Sequence, residues 1–146
     1  MVRDVLTGEV LVGRKVGYPQ GCFRLPTGGL LQGEPVEMAA HRELAEELGL
    51  AALELTHVAH IVYGHPGTPD FETFVILVAA DLPSSGFQPS EELEQVQRLR
   101  VPELHLVAER LAALPAAPHR GTTWAEWGAF RAIAHRVTVD VLHVAP

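Results

Sequence analysis

Apolar residues recur at every fourth position through Val36, Ala40, Leu44 and Leu48, which predicts an amphipathic helix over about 35–48 with one stripe facing a core. Pro35 suits the first helical position, Glu34 lies beside the favourable positive end of the dipole, and Gly49 suits a left-handed stop. "EVLVGRK" (9–15) and "CFRLP" (22–26) read as short strands flanking a turn. "ALELTHVAHIVYG" and "FETFVILVAADL" are longer β-rich runs separated by "HPGTPD", which suggests adjacent strands in a hairpin. The polar and apolar alternation of "EQVQRLRV" (94–101) predicts a further strand. Pro102 then opens a helix carrying Leu104, Val107, Leu111 and Leu114, and Pro115 stops it. A last helix is expected after Thr123, which forms a capping-box pair with Glu126 ahead of an apolar stripe of Trp127, Phe130, Ile133 or Ala134, and Val137. Helix is favoured through at least Arg136, although "VTVDVLHV" is β-branched enough to read as strand. Strands mixed with helices in this order predict an α/β fold, a mixed sheet covered by helices in an α/β/α sandwich.

A chain of 146 residues with 47% hydrophobic and 20% charged residues falls in the ordinary range of one domain with a real core, taken as 1–146. No internal repeat, low-complexity tract or linker interrupts it. The longest apolar run, "TFVILVAA" at 73–80, is far short of the roughly 20 residues that span a bilayer, and no basic-then-apolar signal opens the chain. A soluble, cytoplasmic protein with no membrane partner is the expectation. The single Cys22 excludes an internal disulfide framework and every multi-cysteine zinc pattern, and reads as a small buried apolar residue. A formal net charge of −7 argues against nonspecific nucleic-acid binding and would repel an anionic ligand unless a cation intervenes.

That charge is concentrated. The predicted helix holds Glu37, Glu43, Glu46 and Glu47 with Arg42 as its ordinary cation, and at about 100° per residue the last three fall within an arc of about 100°. Glu43 and Glu47 form a like-charge pair one turn apart, costing roughly 0.2–0.5 kcal/mol, and no lysine lies on the helix to offset it; Arg42 pairs best with Glu46. A solvated acidic face would tolerate this arrangement. Hard divalent ions such as Mg²⁺ or Mn²⁺ would exploit it, because they seek clustered oxygen ligands and keep waters for a phosphate or a nucleophile. The preceding "TGGLLQGE" lets the main chain bend close to the helix, where a carbonyl could join the ligands and N–H groups could meet phosphate oxygens. It is not the G-x-x-x-x-G-K-[ST] phosphate loop.

Gly28, five residues, Glu34, seven residues, and then "RELAEELGL" from Arg42 to Leu50 resemble the Nudix box, G-x5-E-x7-R-E-U-x-E-E-x-G-U with U bulky and aliphatic, at all nine specified positions. The strand order around the box also looks like the Nudix fold. The resemblance implies hydrolysis of a nucleoside diphosphate linked to another moiety, dependent on Mg²⁺ or Mn²⁺, by attack of water on phosphorus. It also implies Glu43, Glu46 and Glu47 as metal ligands with the carbonyl of Thr27, Glu34 and Arg42 as braces, and Gly28 and Gly29 in the phosphate-facing loop. The general base would be Glu43, the first glutamate of the R-E pair, or an acid on a later loop. There "SEELEQ" offers Glu91, Glu92 and Glu94, of which Glu94 is favoured as an extra metal ligand and Glu92 as base. The chain departs from the family at its start, where only a few residues precede the turn at Thr7 and Gly8, so a shortened first strand is expected. A homodimer follows from the resemblance only.

The substrate is less sharply defined. "YGHPGTPDFE" is similar to the Y-x-x-P-G segment of the Nudix subgroup that cleaves ADP-ribose and related nucleotide sugars, which points to His65, Pro66 and Glu72 as substrate contacts. A pyrophosphohydrolase of normal or oxidised nucleoside triphosphates is the alternative, and a non-catalytic nucleotide-binding module is a third. His57 and His60, three apart in a strand, should point to opposite faces and so not form a metal site. Trp124, Trp127 and Tyr63 offer rings to a base, with core the favoured place for Trp127 on its apolar stripe, and His119 and Arg120 are expected to face solvent, a phosphate contact being the alternative.

Overall fold

The computed structural model describes residues 1–64, 67, 69–83 and 93–144, so His65, Pro66, Glu91 and Glu92 lie outside the described residues. The elements in chain order are β1 (Val2–Asp4), β2 (Val10–Lys15), α1 (Val36–Leu48), β3 (Glu54–Tyr63), β4 (Phe71–Ala80), β5 (Leu93–Leu99), α2 (Leu104–Ala112), β6 (Pro118–His119), β7 (Thr122–Thr123) and α3 (Trp124–Val144). Five strands form one sheet in the order β3-β4-β1-β2-β5, with β6 and β7 a separate small ribbon. Pairings in the main sheet are antiparallel except β1 with β4, which is parallel. The sheet is therefore mixed, and the expected shortened first strand is a three-residue strand at its centre.

Alternation along β4 divides the core. Phe74, Ile76, Val78 and Ala80 turn toward Leu44 and Leu48 of α1, whereas Leu77 joins Val10, Val12, Leu104, Val139 and Leu142 beneath α2 and α3. A helix on one face and two on the other make the α/β/α sandwich. Gly128 lets α3 lie against α2, since a Cβ there would stand 2.0 Å from the carbonyl oxygen of Leu111.

Several local expectations change. Residues 22–26 form no strand beyond an isolated bridge of Gly13 to Arg24, because Pro26 has no N–H to give and the Leu25 N–H is bonded to His135 instead. Pro35, with ψ 144°, is the cap preceding α1 rather than its first residue, while Gly49 takes the left-handed stop at φ 62°. The β-branched tail 137–144 is helical throughout, since Thr138 is fully buried and Val139 and Leu142 pack on the sheet at helical spacing. A bulge between His57 and Ala59 adds one residue to β3, so His57 opposite Ile76 and His60 opposite Phe74 share the α1 face. The two histidines thus do not point to opposite faces.

Candidate active site

The segment joining β2 to α1 is held mainly by one arginine. Arg42 Nε and Nη2 donate to the two oxygens of Glu34, each at 2.9 Å, and Nη2 also donates to the Gly29 carbonyl at 2.8 Å. Its Nη1 reaches Glu43 Oε1 at 2.8 Å and Glu46 Oε2 at 3.2 Å, so one nitrogen lies between two carboxylates. Glu34 also accepts from the Leu31 N–H at 3.0 Å. The Arg42 fork, aided by that N–H, holds the Glu34 carboxyl down at about 2, and Glu34 and then Glu43 push the Arg42 guanidinium up. Across a range of eight residues, then, Glu34 and Arg42 tie the loop to the helix.

Glu43 closes on the loop from the other side. Its Oε1 accepts from the Gly29 N–H at 3.1 Å, and a Cβ on Gly28 would fall 1.9 Å from its carboxyl carbon. Only glycine leaves room there. Glu47, with a side chain 11% exposed, is paired with Lys15 of β2 at 2.7 Å, a partner that sequence reading along the helix missed. Thr27 Oγ1 accepts from Arg24 Nη1. Among the described residues no three His, Cys, Asp or Glu side chains converge to hold a metal, because Arg42 and Lys15 draw Glu43, Glu46 and Glu47 toward separate partners.

Other residues singled out by the sequence lie elsewhere. Glu94 pairs with Arg14 at 2.8 Å, and Glu72 with His60 at 2.8 Å, whose ring stacks on Phe74 at 4.4 Å. Glu37 pairs with His57 at 2.6 Å. On the opposite face Tyr63 lies 4.7 Å from Phe130, and Trp127 packs into the core with Cys22 and Leu111, as its stripe predicts. His119 does not simply face solvent: it stacks on Trp124 at 3.6 Å. His135, deep in α3, accepts the Leu25 N–H on Nε2 at 2.9 Å while its Nδ1–H meets the Arg131 carbonyl at 2.9 Å, and burial pulls its pKa to about 4. Sequence reading gave no sign of this contact between segments 110 residues apart.

This arrangement of glycine loop, braced helix and mixed sheet has relatives. Residues 2–121 match the NUDIX domain, and the chain belongs to that family. An RNA pyrophosphohydrolase of Coxiella burnetii is 43% identical over 51 residues, which is 35% of this chain and only 22% of that relative. Two solved structures share the fold over 97% of this chain and 93% of their own. They are a MutT NUDIX hydrolase from Burkholderia pseudomallei, at 20% identity and a TM-score of 0.55, and a C. elegans Ap4A hydrolase, at 19% and 0.55.

The donors on α1 are the hard carboxylate oxygens that a divalent ion takes, although here Arg42 and Lys15 hold them apart. Three carboxylates on one helix meet two cationic side chains, Arg42 and Lys15, and the space left by Gly28 cradles Glu43 against the main chain. No helix among the described residues is long and apolar enough to cross a membrane.

Proposed function

We propose that this chain is a pyrophosphohydrolase that splits a phosphoanhydride of a nucleoside 5′-polyphosphate with water. The observation that carries the reading is Arg42 bonded at once to Glu34, Gly29, Glu43 and Glu46, which presets a glycine loop beside three carboxylates. Mg²⁺ or Mn²⁺ would be held by Glu43, Glu46 and Glu47 with the Thr27 carbonyl and Glu94, and when bound supplies charge neutralisation and an acidified water. The chain's own part is positional. Glu34 and Arg42 fix the loop, whose Gly28 main-chain N–H would meet a phosphate oxygen while the Gly29 N–H is donated to Glu43. Glu43 or Glu92 takes the proton of the attacking water; His65, Pro66 and Glu72 contact the part of the substrate beyond the anhydride.

A nucleoside polyphosphate is favoured over ADP-ribose or another nucleotide sugar, because the relative and one of the two folds above are named as an RNA pyrophosphohydrolase and an Ap4A hydrolase. The test is product release from a triphosphate, a 5′-triphosphorylated oligonucleotide, Ap4A and ADP-ribose, with Mg²⁺ or Mn²⁺, in wild type and Glu47→Gln. Metal-dependent cleavage lost in the variant supports the reading. Nucleotide binding without turnover of any substrate would instead favour a non-catalytic module.

A further inference from the structure

Two guanidiniums lie outside the carboxylate site, Arg24 buried and Arg131 half-buried. Arg24 is 5% exposed, and its Nε, like that of Arg131, is buried without a hydrogen-bond partner. Arg24 lies over the Tyr18 ring at 5.7 Å, Arg131 over Trp127 at 5.7 Å and Phe130 at 5.5 Å, and the Tyr18 and Trp127 rings meet at 5.1 Å. One aromatic wall thus carries both cations. Among the described residues neither is paired with a carboxylate; the charge that Arg131 feels most is Arg24 itself, followed only by the phenols of Tyr18 and Tyr63. Burial and that like charge pull the Arg131 pKa down, and the neutral His135 below adds no anion.

Like charges left together in a dry site are costly unless an anion joins them. Ring stacking offsets part of the cost but gives the N–H groups no acceptor. Arg131 and the rings of Tyr18 and Trp127 are only partly covered, so the wall is not sealed from solvent. The position also matters. Arg24 Nη1 donates to the Leu25 carbonyl and to Thr27 Oγ1, one residue before the Gly28 that cradles Glu43, so Arg24 is tied to the loop that leads into the carboxylate helix.

We propose that Arg24 and Arg131 form a second phosphate subsite, for a phosphate ester on the nucleoside portion of the substrate, separate from the anhydride that is cleaved. The word substrate rests on the hydrolase reading; the anion site itself does not. Two sources present this chemistry: the first phosphodiester of an oligonucleotide 5′ end, and the 3′-phosphate of a mononucleotide.

The chain has two tryptophans, Trp124 and Trp127, both beside this wall, so intrinsic fluorescence reads binding without turnover. The titrants are adenosine 5′-monophosphate, adenosine 3′,5′-bisphosphate and the dinucleotide pApA, with wild type, Arg131→Gln and Arg131→Lys, each checked for a cooperative thermal transition. The expected result is at least about tenfold tighter binding of the bisphosphate or of pApA than of the monophosphate, lost in Arg131→Gln and partly kept in Arg131→Lys. Preference for pApA over the bisphosphate assigns the phosphodiester, and the reverse assigns the 3′-phosphate. Equal affinity for all three in wild type overturns the subsite even if triphosphate is hydrolysed. Discrimination without hydrolysis of a triphosphate, a 5′-triphosphorylated oligonucleotide, Ap4A or ADP-ribose leaves the subsite standing and removes the hydrolase reading. Should Arg131→Gln fail to fold, Arg131→Lys decides: a weakened preference supports the subsite, and the wild-type preference at full strength overturns it.

Discussion

Glu43 occupies the space that any side chain at position 28 would need, so Gly28→Ala must displace the carboxylate rather than the backbone. The glutamate is flexible, and stability should change little. Activity should fall by about 10- to 100-fold, as when a ligand's supporting contact is lost, and comparing kcat with the thermal midpoint checks both halves of the prediction. His135 predicts a pH effect. Its pKa is depressed from an ordinary 6.5 to about 4, so the unfolded chain binds the proton more readily. Its contribution is whole above pH 6.5 and lost as pH falls toward 4, on the order of 3 kcal/mol over the window. Urea melts at several pH values should show a shallower acid loss in His135→Asn than in wild type; equal slopes would refute the assignment. Residue roles were unevenly legible in the sequence. Glu34 and Arg42, eight apart, declare themselves by spacing, whereas Lys15 with Glu47 and His135 with Leu25 meet only because the sheet and α3 bring distant segments together.

At the scale of elements, another glycine behaves in the opposite way. Gly128→Ala would press a methyl against the Leu111 carbonyl, which belongs to a helix and cannot swing aside. Destabilisation of about 1–3 kcal/mol by overpacking is expected in denaturant titrations, with kcat per folded molecule nearly unchanged. The helices were the most legible elements. α1 carries a four-residue stripe and a glycine stop, and α3 opens where Glu126 Oε2 accepts from the Thr123 N–H at 2.9 Å and the Glu126 N–H reaches back to Thr123 Oγ1 at 3.2 Å. The far end of α3 was ambiguous because Val, Thr and Val favour strands locally, and only packing against Leu77 and its neighbours decides for helix. The β3 bulge left no mark in the alternation, yet it turns His57 and His60 to one face.

For the whole molecule, three helix carboxylates restrained by Arg42 and Lys15 predict ion-linked stability. Mg²⁺ or Mn²⁺ at 100 times its Kd should stabilise the fold by about 2.7 kcal/mol and raise the thermal midpoint by several degrees, an effect that Glu47→Gln should largely remove. The sheet itself has a narrow waist. β3 with β4 and β2 with β5 are long antiparallel pairs, and among the described residues the hydrogen-bond ladder between these halves runs through the short segment from Met1 to Val5. β1 meets β4 some 76 positions along the chain and β2 meets β5 some 78 to 89, so both junctions close large loops and should be completed after the local β3–β4 pair. Pulse-labelled amide exchange should find β3–β4 protected before the amides of β1 and β2, so that one preformed hairpin is the selvedge onto which the rest of the sheet is sewn.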